Sequence, residues 1–294
     1  MTAAAVELVL DARAELGEGP RWDARAQRLL WVDIMRGRVH AFRPGHAACR
    51  SVDVGRPVGA LAGTADGGIV LAVAGGFARL DWESGQVRML AAVEADRPQN
   101  RMNDGACDPA GRFWAGTMAL DEGPGAGALY RLDPDGTVRT MLTGVSISNG
   151  IDWSLDGRRM YYVDSPTRRI DVFDFEARAG TIANRRTFVA LPPEAGFPDG
   201  LTVDADGFVW LALWGGAALH RYDPEGARER IVPLPVTHPT SCAFGGSDLD
   251  ELYVTSARRP LSADERARQP MAGGLLRLRP GVVGRPPGLF GTAV

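Results

Sequence analysis

One pattern recurs six times along the chain: a turn cluster that contains Asp, usually with Gly, followed by four to six β-forming residues. The copies begin at Asp23, Asp66, Asp108, Asp156, Asp204 and Ser247. Their starts lie 42 to 48 residues apart, which is the size of a propeller blade. A second alternating strand follows each copy, as in GRVHAFRPG and GALYRLDPDG. Two such strand pairs in each period predict a four-stranded blade.

The repeats therefore predict an all-β fold: a six-bladed β-propeller with a central channel, with residues 1–294 forming a single domain. The 37 glycines, the 20 prolines and the lack of any long segment with helical period disfavour an α/β fold. The segment from Val6 to Ala12 is predicted to add a strand to the blade that holds the C-terminal strands. Such a strand would close the ring and protect a sheet edge.

The charge of the chain disfavours several classes of partner. Its 33 basic and 36 acidic residues leave a formal net charge of −3, so no long-range field attracts nucleic acid or an anionic membrane. The apolar start has no basic region before it, and no run approaches the roughly 20 apolar residues of a membrane span. Three cysteines without a CxxC pair fit reduced thiols. We therefore expect a cytoplasmic protein, and the sequence implies no protein partner.

The register of the repeats predicts where a functional site lies. The first strand of each blade lines the channel, and its N-terminal end faces a common opening. The segment GEGPRWDARAQRLLWVD aligns without a gap on SNGIDWSLDGRRMYYVD, which places Glu18 on Asn149. Extending the alignment to all blades gives one ring at equal depth: Glu18, Gly59, Asn103, Asn149, Asp199 and Thr240. Two carboxylates and two amides therefore converge at one opening.

Two carboxylates that face each other across a narrow channel repel, which raises the pKa of one of them unless a cation lies between them. Oxygen ligands without a neighbouring cysteine or histidine suit calcium, magnesium or manganese, and zinc with carboxylate ligands stays open. The four histidines lack the spacing of a metal motif. The alternative is that Glu18, Asn149 and Asp199 merely cap strand ends or bind the adjacent Gly turns.

Most tryptophans lie on or beside predicted strands, where aromatic residues usually fill the core between blades. Trp214 is the exception. It comes just before Gly215 and Gly216 at the end of a strand, so it is predicted to form a wall at the mouth of the pocket.

Several motifs together resemble a known family. They include LGEGP from Leu16, RMNDGACDPAGRFWAGTM from Arg101, ISNGIDWSLDGRRMYYVDS from Ile147, and PDGLTVDADGFVWLAL. In this order and spacing, over nearly the whole chain, they resemble the senescence marker protein/gluconolactonase/LRE family, the regucalcin-like sugar-lactonase propellers. The resemblance implies three metal ligands (Glu18, Asn149 and Asp199) and two substrate-binding residues (Arg101 and Asn103). The family has a Glu shortly after GTMA, where this chain has Asp121 with Glu122 next to it; Asp121 is the predicted substrate contact.

The resemblance also implies an activity: hydrolysis of a small sugar (aldono) lactone, such as gluconolactone, on one divalent cation. Calcium is the favoured ion, and zinc, magnesium, manganese and iron stay open. Asp199 is the predicted general base, since it would sit on the metal and within reach of the attacking water. Two alternatives remain open, namely a phosphotriesterase of the related propellers and a calcium-binding protein without catalysis.

Overall fold

The computed structural model describes residues 5–46 and 49–292. Within this part of the chain, 24 strands form six four-stranded antiparallel sheets, which confirms the six-bladed β-propeller. In each blade the strand nearest the axis is followed outward by the next three strands in sequence, except in blade six, whose outermost strand is the first strand of the chain.

The strand bounds follow the predicted repeats. The first strand is β1 (Glu7–Leu10). Blade one consists of β2 (Gly17–Asp23), β3 (Arg28–Asp33), β4 (Arg38–Phe42) and β5 (Arg50–Asp53). Blade two consists of β6 (Val58–Gly63), β7 (Ile69–Val73), β8 (Gly76–Leu80) and β9 (Val87–Ala92). Blade three consists of β10 (Asn100–Cys107), β11 (Phe113–Ala119), β12 (Gly127–Leu132) and β13 (Val138–Val145).

The second half of the chain builds the other three blades. Blade four consists of β14 (Ser148–Trp153), β15 (Arg159–Asp164), β16 (Arg169–Glu176) and β17 (Thr181–Ala190). Blade five consists of β18 (Phe197–Val203), β19 (Val209–Trp214), β20 (Ala218–Tyr222) and β21 (Arg228–Pro233). Blade six consists of β22 (Pro239–Gly245), β23 (Glu251–Ser256), β24 (Leu275–Leu278) and β1. Short helices cover Ser165–Thr167, Pro193–Ala195 and α1 (Ala263–Arg268).

The first strand closes the ring as predicted. It pairs antiparallel with β24, with Glu7 opposite Arg277 and Leu8 opposite Leu276. The guanidinium of Arg277 also donates to the Glu7 carboxylate at 2.6 Å. Because β1 lies on the outer edge of blade six, the two ends of the propeller are joined within one sheet.

The Asp of the repeat has a structural role that explains why the pattern recurs. In blade three, Asp108 accepts hydrogen bonds from the Arg112 backbone at 3.0 Å and from the Trp114 indole at 2.9 Å. In blade five, Asp204 accepts from the Trp210 indole at 2.9 Å. Both indoles are fully buried between blades. The Asp therefore fixes its own turn and also satisfies the donor of the tryptophan that fills the core.

A C-terminal tail crosses the face of the propeller where the innermost strands end, which we call the lower face. It follows β24 and covers residues 279–292. The carbonyl of Val283 accepts from the amide of Ala205 in blade five, and the amide of Phe290 donates to Gly63 in blade two at 2.8 Å. The tail thus binds blades on both sides of the axis.

Arg285 fastens the middle of the tail. Its guanidinium pairs with the Asp152 carboxylate and donates to the Trp153 carbonyl at 2.6 Å. The tail residues Arg285 to Gly288 line one cavity together with the lower ends of five innermost strands. The tail therefore covers the lower opening of the channel. No helix in the described residues is long and apolar enough to cross a membrane.

Candidate active site

All six innermost strands have a β-bulge at the same depth, near the opening where these strands begin. At this point each carries one residue more than the neighbouring strand, as between Met102 and Gly105 in β10. The six residues of the predicted ring lie at or within these bulges: Glu18, Gly59, Asn103, Asn149, Asp199 and Thr240. A bulge breaks the alternation of side chains along a strand and redirects them. The local backbone therefore turns polar side chains toward the axis.

A cavity of about 340 Å³ opens at this end of the channel. Five of the six residues predicted to form the site line it: Glu18, Arg101, Asn103, Asn149 and Asp199. The structure therefore brings together side chains from blades one, three, four and five. No histidine is among the lining residues described for this cavity.

Glu18 and Asp199 are buried carboxylates, 3% and 5% exposed. Burial raises the pKa of Glu18 well above its ordinary value, and the negative charges of Asp199 and Asp104 raise it further. Burial likewise raises the pKa of Asp199, with the charge of Asp104 as the next cause. Among the described residues, the Glu18 carboxylate accepts one hydrogen bond, from the backbone amide of Gly19 at 2.7 Å. Ionising both acids therefore requires positive charge nearby.

Asn149 lines the same cavity and is itself buried. Its Nδ2 donates to Ser165 Oγ at 3.0 Å, and Ser165 Oγ donates to the Pro198 carbonyl at 2.7 Å. The Asn149 oxygen is buried and has no hydrogen-bond partner among the described residues. A buried acceptor without a donor is costly in a folded protein unless something else binds it.

These residues fit a hard divalent cation. Carboxylate and amide oxygens are its preferred ligands, and the orphaned oxygen of Asn149 is explained if an ion binds it. No group of three His, Cys, Asp or Glu side chains arranged around one point is found in the described part of the chain. A cation at this position therefore needs the amide of Asn149 in addition to Glu18 and Asp199.

Arg101 and Asn103 form a second, connected pair. Arg101 is only 7% exposed, and its Nη1 donates to Asn103 Oδ1 at 2.6 Å and to the Met102 carbonyl at 3.0 Å. Asn103 in turn donates to the Ser148 carbonyl of blade four at 2.7 Å. Burial lowers the pKa of Arg101 to about 10, so the guanidinium stays charged at neutral pH. It is a fixed positive group in the wall of the cavity.

Asp121 and Glu122 take different positions in the loop after β11. Both residues are exposed. The Asp121 carboxylate accepts from the backbone of Gly123 at 3.0 Å and does not line the cavity, whereas Glu122 does. Glu122 has a positive φ of 58°, which breaks the alternation that adjacent residues keep on a strand. Of the two acidic residues in this loop, the one that lines the cavity is therefore Glu122, the neighbour of the residue that the sequence predicted.

The remaining side of the mouth is apolar. Pro166 from blade four, with Phe197 and Trp214 from blade five, forms what we call the apolar wall of the cavity. Trp214 therefore lies where the sequence predicted it, while Trp31, Trp114 and Trp210 are fully buried.

Comparisons with known proteins agree with this architecture. A family model described as the SMP-30/gluconolactonase/LRE-like region matches residues 16–258. The chain belongs to this family.

Individual relatives extend the match to almost the whole chain. The chain is 40% identical over 284 residues to regucalcin of Xenopus laevis, covering 95% of each chain. It is similar in structure to a calcium-binding protein, regucalcin, from Agrobacterium tumefaciens, with a TM-score of 0.94, 31% identity and 98% of each chain covered. It is also similar to a luciferin-regenerating enzyme, with a TM-score of 0.91, 32% identity, and 98% of this chain and 99% of that chain covered.

One buried acidic residue beside this SMP-30/gluconolactonase/LRE-like site, whose charge acts on Glu18 and Asp199, was not predicted from the sequence. Asp104 is 2% exposed and lies in the bulge of β10 next to Asn103. Burial raises its pKa, and the positive charge of Arg21 opposes that shift. Alternation along a regular strand would turn Asp104 away from the axis if Asn103 faces it. Only the bulge allows both adjacent residues to be near the channel.

Proposed function

We propose that this chain is a divalent-cation-dependent lactonase that hydrolyses a small sugar lactone to the open acid. The observation that carries the proposal is the buried oxygen of Asn149, which has no hydrogen-bond partner within residues 5–46 and 49–292 although it belongs to the same cavity as two buried carboxylates. Glu18, Asn149 and Asp199 would hold the ion. Membership of a family whose description includes gluconolactonase supports the choice of reaction.

When bound, a divalent cation supplies Lewis-acid polarisation of the lactone carbonyl and lowers the pKa of water. Calcium is the favoured ion because the proposed ligands are all oxygen atoms. The name of the similar Agrobacterium tumefaciens protein, a calcium-binding protein, supports the same ion. Magnesium, manganese, zinc and iron remain candidates for the exchange experiment described below.

Asp199 is the proposed general base. Its carboxylate lines the cavity that would hold the attacking water, and a positioned carboxylate can accept a proton from water. A proton taken from water would reside on its carboxyl group and pass to the ring oxygen of the lactone as the acyl bond breaks. Positioned proton transfer of this kind contributes about 10²–10⁴-fold to a rate.

The residues of blade three orient the substrate in this proposal. Arg101 can donate to hydroxyl oxygens from a fixed position, because Asn103 and the Met102 carbonyl hold its guanidinium. Glu122 can accept from a hydroxyl group, and Asn103 keeps a second amide hydrogen for the same purpose.

The test is an assay of chelated protein, with each cation restored singly, against several sugar lactones and a phosphotriester. We expect lactone hydrolysis that disappears on chelation and returns with calcium. Hydrolysis of only the phosphotriester would favour the alternative chemistry of the related propellers. Cation binding measured by calorimetry without any hydrolysis would favour a calcium-binding protein without catalysis.

A further inference from the structure

The polar groups left for a substrate lie on one side of the cavity. Glu18, Asn149 and Asp199 are assigned to the cation, and Ser165 is occupied by Asn149 and the Pro198 carbonyl. The polar side chains that remain in the lining are Arg101, Asn103 and Glu122. All three belong to blade three or to the loop after β11. Hydroxyl groups of a bound sugar can therefore find side-chain partners mainly along this edge.

The apolar wall is formed by residues of blades four and five. Phe197 and Trp214 are directly opposite each other in the β18–β19 pair, so their side chains extend from the same face of the sheet. The guanidinium carbon of Arg168 lies 3.9 Å from the centre of the Phe197 ring. The ring of His238 lies 4.5 Å from that of Trp214. Both aromatic rings are therefore held by packed side chains rather than free to turn away.

The depth of the wall indicates which end of a substrate meets it. Phe197 is 38% exposed and Pro166 is also exposed, whereas the ring residues Glu18, Asn149 and Asp199 are buried. The carbonyl of a lactone has to reach the buried residues for hydrolysis. The carbon atoms farthest from that carbonyl therefore lie at the mouth, beside the apolar wall.

We infer that the preferred substrate is a deoxy-sugar lactone, with its hydroxyls along the edge facing blade three and a methyl group at its far end against Phe197, Trp214 and Pro166. The side chains of this wall offer a single donor, the Trp214 indole, and no acceptor. A terminal hydroxyl there would lose hydrogen bonds to water without replacing them, whereas a methyl group would gain apolar contact. This inference rests on the proposed lactonase function and makes Phe197 and Trp214 determinants of specificity.

The experiment uses substrates that differ by one hydroxyl group: galactono-1,4-lactone and 6-deoxygalactono-1,4-lactone, each as both enantiomers, with calcium-loaded protein. We expect the deoxy lactone to have a kcat/KM roughly 10-fold higher in at least one enantiomeric series. Phe197→Ala and Trp214→Ala should reduce that ratio to below about twofold, and Trp214→Phe should retain it. Equal values for the two lactones, or a higher value for the hydroxylated one, would overturn the inference.

Two controls distinguish a specific role of the apolar wall from a general loss of folded structure. Leu155→Ala removes an exposed apolar side chain (52% exposed) from a turn outside the cavity, and it should leave the ratio unchanged. Thermal melts should show that each wall variant is folded. If Trp214→Ala lowers kcat/KM for both lactones by the same factor, the wall does not select the methyl group, and the inference fails while the lactonase proposal stands.

A binding readout keeps the inference testable if neither lactone is hydrolysed, an outcome that would count against the lactonase proposal. The two corresponding lactams resist hydrolysis and differ in the same way at their far ends, one with a hydroxymethyl group and the other with a methyl group. Calorimetry compares their affinities for the protein. Tighter binding of the deoxy lactam, lost in Trp214→Ala, would support the wall as a methyl-binding surface. Equal affinities would overturn it.

Discussion

The amide nitrogen of Asn149 donates to Ser165 Oγ at 3.0 Å, and this contact fixes the orientation of the amide. Ser165 is itself held by the carbonyl of Pro198 in the next blade. The two hydrogen bonds hold the amide nitrogen of Asn149 in place and leave its buried oxygen without a partner among the described residues. A residue outside the set of proposed ligands therefore orients one of them.

Ser165→Ala should weaken cation binding, because the Asn149 amide would lose the partner that holds its orientation. Loss of such a supporting contact typically costs about 10- to 100-fold in metal affinity. Calorimetric titration of chelated protein with calcium measures the effect, and Ser84→Ala, in an exposed turn, is the matched control. An unchanged affinity would show that Asn149 does not need Ser165.

Asp199→Asn should lower turnover by about 10²–10⁴-fold while the fold is retained. The amide keeps an oxygen that can bind a cation but cannot accept the proton. Steady-state kinetics together with elemental analysis of the purified variant separate the two roles. Turnover equal to that of the wild type with the cation bound would mean that another group is the base.

The stabilisation of the protein by calcium should depend on pH. The folded-state pKa values of Glu18 and Asp199 are raised, mainly by burial, so without the cation their contribution to stability is greatest when both are protonated. That contribution is lost as the pH rises through the raised pKa values. A cation offsets the loss but competes with protons for the same oxygens.

Calorimetric melts should therefore show a larger calcium-dependent rise in Tm at about pH 8 than at about pH 5. The double variant Glu18→Gln with Asp199→Asn serves as the control and should show little rise at either pH. A rise of equal size at both pH values in the wild type would contradict the assignment of these carboxylates to the cation.

Glu122→Ala should raise KM about 10-fold for the best lactone and leave kcat nearly unchanged, as expected when a group binds the substrate equally in the ground and transition states. Asp121→Ala should change neither constant by more than about twofold, because its carboxylate binds the backbone of Gly123. A raised KM in Asp121→Ala with no change in Glu122→Ala would show that Asp121 is the substrate contact. A large loss of kcat in Glu122→Ala would make that residue part of the chemistry.

Arg285→Ala should destabilise the protein modestly without changing kcat/KM. The variant loses an ion pair with Asp152 and a hydrogen bond to the Trp153 carbonyl, which together contribute about 1 kcal/mol at a partly exposed site. The expected fall in Tm is about 2 °C. Arg139→Ala is the control. It removes an ion pair whose arginine side chain is 61% exposed, so its fall in Tm should be smaller.

The ring of the site could be predicted because the blades repeat. The gapless alignment of the first and fourth blades placed Glu18 and Asn149 at one depth, and the structure has both in the same cavity. Asp104 could not be predicted in this way, since a bulge is a property of hydrogen bonding between strands and has no signature in the alternation of a single strand. The tail also has no counterpart among the repeats, so nothing in their spacing places it.

The C-terminal tail closes one of the two ends of the channel. Residues Arg285 to Gly288 cover the lower end, and the cavity that contains Asp199 opens at the other end. In the proposed reaction, the lactone and the product acid share one opening, between the guanidinium of Arg101 and the rings of Phe197 and Trp214. The open acid then has to leave before the next lactone enters, so release of the acid sets an upper limit on turnover of the proposed lactonase.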